Sequence, residues 1–373
     1  MKSALGIGIA GILFLMTAVH SPAQKKSRTG GKTAEGEPLF EGFIDRERDT
    51  SGIRIVFYNL ENLYDPHNDS LTNDEEFTPE GAKHWNYKRY ILKLQYLSRT
   101  LLATGGWEPP EIIGVCEVEN RNVLLKLTDD TPLAAFGYRI IHHESADPRG
   151  VDVALLYRPD KIKPLTESAI PVRFAPDTIS RTRDILYIKL LVLEKDTLHV
   201  FVNHWPSRFG GYMQTVAKRA QAASILKRQT DSILKSNPLA NIVIMGDLND
   251  DPQDESISRI LIAGGGRQDA GSGQQEAGLV NLMPWSTVRG YAGTLKHGET
   301  WHTFDQFIVS VSLHKGLSHL GLAPEQSLIF HAPFLLTDDP GRFGEKLNRT
   351  YLGPRYLGGF SDHLPIYLDI LVK

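Results

Sequence analysis

The sequence predicts an α+β protein built as two layers of β-sheet flanked by helices. Three observations carry that prediction. Apolar runs of strand length recur along the chain, and helical periodicity is confined to a few stretches. Hydrophobic residues make up 41% of the 373 residues, enough for one sizeable core.

The first segment is expected to be removed. Within residues 1–23, Lys2 is the only fixed charge, residues 5–19 form an apolar stretch short for a spanning helix, and Ser21-Pro22-Ala23 offers small residues for cleavage. This reads as a secretory signal peptide. It predicts an exported protein, periplasmic or extracellular, with no stable membrane span after signal removal. Residues 24–50, rich in Lys, Arg, Gly, Thr and Glu, read as a flexible linker, and residues 51–373 as the folded remainder. The formal net charge is −3, and loss of Lys2 makes it one unit more negative, so no strong basic stripe advertises a polyanion partner. A single cysteine excludes an intramolecular disulfide framework, and Cys116, inside an apolar run, reads as a buried and inert thiol.

The strands follow in order. Ile53-Arg54-Ile55-Val56-Phe57-Tyr58-Asn59 is the first. Residues 87–103 then carry apolar side chains at the spacing of an amphipathic helix, stopped by Gly105-Gly106. Ile112-Ile113-Gly114-Val115-Cys116-Glu117 is a second strand, and the run from Val151 to Tyr157 a third with Asp152 inside it. An acid in such a run is costly to bury unless it is paired or metal-bound. Residues 185–193 and 198–202 read as hairpin partners, the second running into Asn203-His204. Residues 213–235 form an Ala-rich helix closed by Asn237-Pro238. Its Met213, Val216, Ala217, Ala220 and Ala223 are assigned to the core, and Lys218, Arg219, Lys227 and Arg228 to a solvated face. Residues 264–278 read as a Gly/Gln-rich surface loop.

The remaining strands organise the chain. Ile242-Val243-Ile244-Met245 reads as buried on both faces and runs straight into Gly246-Asp247-Leu248-Asn249. If the strand stays extended, Asp247 and Asn249 point to the same side, and Gly246 lets another backbone or a ligand approach closely. Phe304-Asp305-Gln306-Phe307-Ile308-Val309-Ser310 and Ser361-Asp362-His363 repeat the pairing of an apolar strand with polar residues.

Glu117, Asp247, Asp305 and Asp362, with Asn59 and Asn249, are oxygen donors suited to a hard cation such as Mg²⁺, Mn²⁺ or Ca²⁺. His204 and His363 are candidates for acid–base work or charge stabilisation. A cation beside two imidazoles and an amide is equipment for polarising a phosphoryl oxygen and activating water. Gly-x-Ser-x-Gly, phosphate-loop and dinucleotide fingerprints are absent.

Six motifs in order, namely Tyr58-Asn59, Val115-Cys116-Glu117, Asn203-His204, Gly246-Asp247-Leu248-Asn249, Phe304-Asp305 through Ser310, and Ser361-Asp362-His363, resemble the endonuclease/exonuclease/phosphatase superfamily over residues 52–371. The resemblance implies a four-layer α/β/β/α sandwich with two packed mixed β-sheets, and makes residues 51–373 the catalytic domain. It implies Glu117 as principal metal ligand, supported by Asn59 and completed by Asp362. It implies that Asp247 positions or deprotonates water or binds a second metal, and that Asn249 holds a phosphate oxygen. His363 would contact the scissile phosphate with its tautomer set by Asp305. His204 would face the phosphate or leaving group, with Asp152 as its candidate acid. Arg183 resembles a phosphate-contacting arginine.

Cys116 stands where relatives often carry Gln, and Trp301-His302-Thr303-Phe304-Asp305 replaces the Trp-Cys-Asp-Arg style motif of inositol 5-phosphatases, which argues against inositol phosphates. The expectation is an exported, monomeric, divalent-metal-dependent phosphodiesterase acting on nucleic acid. Two alternatives stand beside it: a phosphohydrolase or phosphodiesterase for lipid head groups or small phosphate esters, using an apolar loop from residues 314–336, and a catalytically inactive binding module.

Overall fold

The computed structural model describes residues 51–373 except 107, 178, 263–277, 284–292, 340 and 342–343; of residues 325–328 only the backbone is described. The segments expected to be a signal peptide (1–23) and a linker (24–50), and nearly all of the expected 264–278 loop, lie outside the described residues.

Two six-stranded sheets dominate. The first is built from β1 (Ile53–Leu63), β2 (Ile112–Val118), β3 (Arg139–His142), β4 (Asp152–Tyr157), β13 (Leu320–Ile329) and β18 (Ile366–Val372), in the order β13-β18-β1-β2-β4-β3. The second contains β5 (Ile162–Ile170), β6 (Ile185–Val192), β7 (Asp196–His204), β8 (Asn241–Asp247), β9 (Leu279–Asn281) and β12 (Asp305–Ser310), in the order β5-β6-β7-β8-β12-β9. Both are mixed, with β1–β2 and β7–β8 parallel among antiparallel neighbours. Three short hairpins pair β10 (Leu295–His297) with β11 (Thr300–His302), β14 (Leu336–Asp338) with β15 (Glu345–Leu347), and β16 (Tyr351–Leu352) with β17 (Arg355–Tyr356).

Period-two alternation sorts each strand between two cores. On β1, Ile53, Ile55 and Phe57 face the space between the sheets, where they meet Val200, Val243, Met245 and Phe307. Val56 and Tyr58 face the other way, against Tyr90, Leu94, Leu97 and Leu101 of α1 (Tyr87–Gly105) and Val123, Leu124 and Leu127 of α2 (Arg121–Asp129). Behind the second sheet, Phe201, Ile242, Ile244 and Ile308 pack on Ala222, Ala223, Leu226 and Leu234 of α3 (Tyr212–Ser236). A short α4 (Val311–Lys315) follows β12. This is the four-layer α/β/β/α sandwich.

The helix ends follow local chemistry. The Asn86 side chain accepts the Arg89 amide at the start of α1, and Asn120 accepts those of Asn122 and Val123 on α2. The α3 assignment needs correction: Met213 is 78% exposed, while Arg219 is fully buried with its Nε 2.7 Å from Asp250 Oδ1. A buried ion pair thus replaces one position of an apolar stripe. Leu320, Ile329, Phe330, Leu335 and Leu336 belong to the inter-sheet core, which removes them from any exposed apolar loop. No helix of the described residues is long and apolar enough to cross a membrane.

Candidate active site

The second sheet sets three side chains abreast. Cα pairing puts His204 beside Asp247 across β7–β8 and Asp305 beside Asp247 across β8–β12, so the three project from one face. Gly246 is required next to them: a Cβ there would lie 2.3 Å from the Asn203 carbonyl oxygen of β7. The first sheet supplies Asn59, paired with Cys116, and then breaks its own ladder. Register shifts occur between Asn59 and Leu63 on the β1–β2 pair, and between Cys116 and Val118 on the β2–β4 pair. Glu117 therefore bulges out with φ of 59°, and its carboxylate turns toward the site. Glu61, Asn62 and Asn249 share this positive-φ geometry, a concentration of backbone strain at one place.

Asn59 ties the sheets together. Its Nδ2 donates to Glu117 Oε1 at 3.3 Å and to Asp247 Oδ2 at 3.1 Å, while its Oδ1 accepts the Glu61 amide at 2.9 Å. Glu117 Oε2 accepts the Asn62 amide at 2.9 Å. His204 Nε2 lies 3.7 Å from both Glu117 Oε1 and Asp247 Oδ2. His363 faces the same Asp247 oxygen at 3.8 Å through Nε2, and its Nδ1 is held by Asp305 Oδ2 at 2.7 Å. Ser361 Oγ donates to the Asn59 carbonyl at 2.7 Å, anchoring the segment that carries Asp362 and His363.

Burial and charge give these groups different ionisation. Burial depresses His204 well below the ordinary histidine range, and the Arg183 and Arg149 cations and His363 push the same way. Its Nδ1 is buried without a hydrogen-bond partner, which fits a neutral ring carrying its proton on Nε2. Burial alone would depress His363 too, but the Asp305 and Asp247 carboxylates outweigh it and hold its imidazole well above that range. Asp247 is pushed up to about 7 by burial, and by Asp305 and Glu117, against the pull of His363. The centre is thus rich in carboxylate. An oxygen-rich set of Glu117, Asp247 and Asn59, two of them carboxylates sharing one amide, fits a hard divalent cation.

Three sequence expectations are corrected. Asp152 does not meet His204; it takes His142 Nε2 at 3.1 Å and the Ser145 amide at 2.8 Å. Arg183 is buried and bound to the His204 and Trp205 carbonyls and to Asp147 at 2.8 Å, so it braces the strand end instead of presenting a cation to phosphate. Asn249 does not share an extended strand with Asp247, because β8 ends at Asp247 and the chain turns at φ 52°. The turn brings the Asn249 amide onto Asp247 Oδ1 at 3.0 Å and its Nδ2 onto the Trp205 carbonyl at 3.0 Å, which keeps both residues together by another route. Asp362 sits at the rim, 2.6 Å from Arg349.

Several site residues carry no motif of their own. Glu61 is buried and accepts the Thr350 and Tyr351 amides, with Arg349 at 3.4 Å and Lys93 at 4.0 Å. Burial lowers Lys93 to about 8, with Glu61 and Asp362 opposing. Arg149, exposed, acts on Glu117 and His204 through its charge. His142, Glu144 and Asp152 form a separate group whose ligand atoms lie within 4.8 Å of one another, a set that could hold a metal ion. The direct His142–Asp152 bond accounts for their closeness without one.

A metal-fitting cluster of carboxylates flanked by one neutral and one charged imidazole, at the ends of two packed sheets, defines a phosphoric-ester hydrolase. The chain belongs to the Endonuclease/Exonuclease/phosphatase family, whose pattern matches residues 54–372. Its fold is similar to the human Nocturnin catalytic domain with bound sulfate, at 15% identity and TM-score 0.51 over 87% of this chain and 95% of that one. It is also similar to truncated Caenorhabditis elegans TDP2, at 13% identity and TM-score 0.52 over 86% and 97% of the two chains. A family protein from Bacteroides thetaiotaomicron matches at 13% identity and TM-score 0.51 over 86% and 95%. Identities this low speak for the fold alone. No curated protein matches the chain.

Proposed function

We propose that this protein is an exported, monomeric phosphodiesterase that needs a divalent metal, Mg²⁺ or Mn²⁺, and hydrolyses phosphodiester bonds of nucleic acid. The observation that carries the reading is the pair of imidazoles facing one Asp247 oxygen at 3.7 and 3.8 Å, one neutral and one charged. Glu117 and Asn59, with the neighbouring Asp247 carboxylate, would hold the ion, which would polarise the phosphoryl oxygen.

The side chains divide the remaining work. The charged His363, kept in orientation by Asp305, donates toward the phosphoryl oxygens where negative charge grows. Asp247 orients the attacking water and receives its proton. The neutral His204, donating through Nε2, stabilises the same charge from the opposite strand. Asn249, fixed by Trp205, presents its amide side chain beside Asp247.

The test is cleavage of single-stranded DNA, RNA, sphingomyelin and a small chromogenic phosphodiester with Mg²⁺ or Mn²⁺ and with EDTA, using Asp247→Asn as control. Metal-dependent cutting of nucleic acid that the variant loses supports the proposal. Turnover of lipid or small esters alone contradicts the nucleic-acid assignment, and binding without turnover contradicts the enzyme.

A further inference from the structure

A row of stacked planar groups runs along the rim of the site and stops at a ring that is only partly covered. The Arg208 guanidinium lies 4.9 Å from the Tyr212 ring and 4.4 Å from the Phe304 ring. Phe304 in turn stacks on His302, with centroids 4.9 Å apart and planes 30° apart. The His302 side chain is 22% exposed, and its Nδ1 is held 2.7 Å from Asp251 Oδ2.

This row is tied to the catalytic residues at both ends. Arg208 Nε donates to the Asn249 carbonyl at 2.9 Å, and Asp251 lies two residues beyond Asn249. On the other side, Leu295 pairs with His302 within the β10–β11 hairpin and bridges to His363. Three positions in register across one ribbon put His302 and His363 on the same face, two strand spacings or about 10 Å apart. Thr294 fixes that placement: its amide donates to the His302 carbonyl at 2.8 Å, its hydroxyl accepts the Asp305 amide at 3.2 Å, and its carbonyl accepts the Leu364 amide at 2.8 Å.

We propose that His302 is a nucleobase-stacking residue that binds the nucleotide next to the scissile phosphate, with Asp251 as the residue that positions its ring. Phe304 covers one face of the ring and Asp251 holds one edge, and with 22% of the side chain exposed the next plane of the stack would lie on the exposed side. A base fits that place because stacking on aromatic side chains is the sequence-tolerant way to hold an unpaired strand. Bases inside a duplex are already stacked on their neighbours, so the rim selects single-stranded or frayed-end nucleic acid. This rests on the phosphodiesterase reading above and adds its substrate class.

The experiment uses full-length protein carrying Asp247→Asn, which binds without cutting, and a single-stranded oligonucleotide containing 2-aminopurine, with Mg²⁺ present. The expected result is quenching of the fluorescent base on binding. Adding His302→Ala removes the quenching and weakens binding about tenfold, whereas His302→Phe, which keeps an aromatic plane on Phe304, retains both. Unchanged quenching and affinity in His302→Ala overturn the inference and leave the phosphodiesterase reading standing. Absence of any oligonucleotide binding by the Asp247→Asn protein overturns both, and equal loss in His302→Ala and His302→Phe assigns His302 a purely structural role, which also overturns it.

Discussion

His204 and His363 aim their Nε2 atoms at the same Asp247 oxygen, at 3.7 and 3.8 Å, yet ionise in opposite directions. The difference lies behind each ring. Asp305 stands 2.7 Å from Nδ1 of His363, whereas Nδ1 of His204 is buried without a partner. One imidazole is thereby favoured as a cation and the other as a neutral ring.

Replacing Asp305 with Asn keeps the shape of the site and removes the charge that sustains the His363 imidazolium. The account predicts a fall in kcat of about two to four orders of magnitude. The charged ring is lost as pH rises through its pKa, so the alkaline limb of the activity profile moves to lower pH in Asp305→Asn. A pH–rate profile of both proteins checks the shift.

Arg219 and Asp250 form a buried pair beneath the turn that carries Asn249. Arg219→Met removes one of the Asp250 partners, leaving Arg208 at 3.3 Å and the Ser256 hydroxyl at 2.7 Å, and a loss of about 1–3 kcal/mol in stability is expected. Urea unfolding measures it. Activity should fall further than the folded fraction does, because the same turn orients Asp247 through the Asn249 amide.

His199, nine-tenths buried on β7 and facing the Tyr187 hydroxyl at 2.8 Å, is depressed from 6.5 to about 4 by burial and by Lys189. The unfolded chain binds the proton more readily, so the stability from the neutral ring is fully present above pH 6.5 and is lost as pH falls through 4. His199→Gln should lose about 1–3 kcal/mol less than the wild type on acidification across that window. Unfolding midpoints at both ends of the window check it.

Cys116 is buried between the sheets, and burial first, then the Asp247 and Glu117 charges, raise its thiol well above the ordinary value. The folded protein should not react with a disulfide reagent such as DTNB, and one thiol should titrate on unfolding in urea.

The sandwich was legible because each long strand alternates cleanly: Ile53, Ile55 and Phe57 against Val56 and Tyr58 announce two separate cores. The carboxylates that meet at the candidate site were legible because they interrupt apolar runs. Asp152 and Arg183 misled for the same reason, since a buried acid or arginine near a strand end looks alike whether it serves chemistry or braces a loop. Which it does depends on a partner 10 or more residues away in the chain, as His142 is from Asp152 and Asp147 is from Arg183. Arg219 was misread because helical period alone cannot tell a solvated cation from one paired with Asp250. Glu61 and Lys93 lie on ordinary-looking segments, and only the folded chain brings them to Arg349 and Asp362.

The most direct test of the account is phosphodiester hydrolysis measured against metal concentration for the wild type and Glu117→Gln. The account predicts activity abolished by EDTA, restored by Mg²⁺ or Mn²⁺, and requiring at least about tenfold more metal in the variant. Activity that survives EDTA, or a metal requirement unchanged in Glu117→Gln, would contradict it.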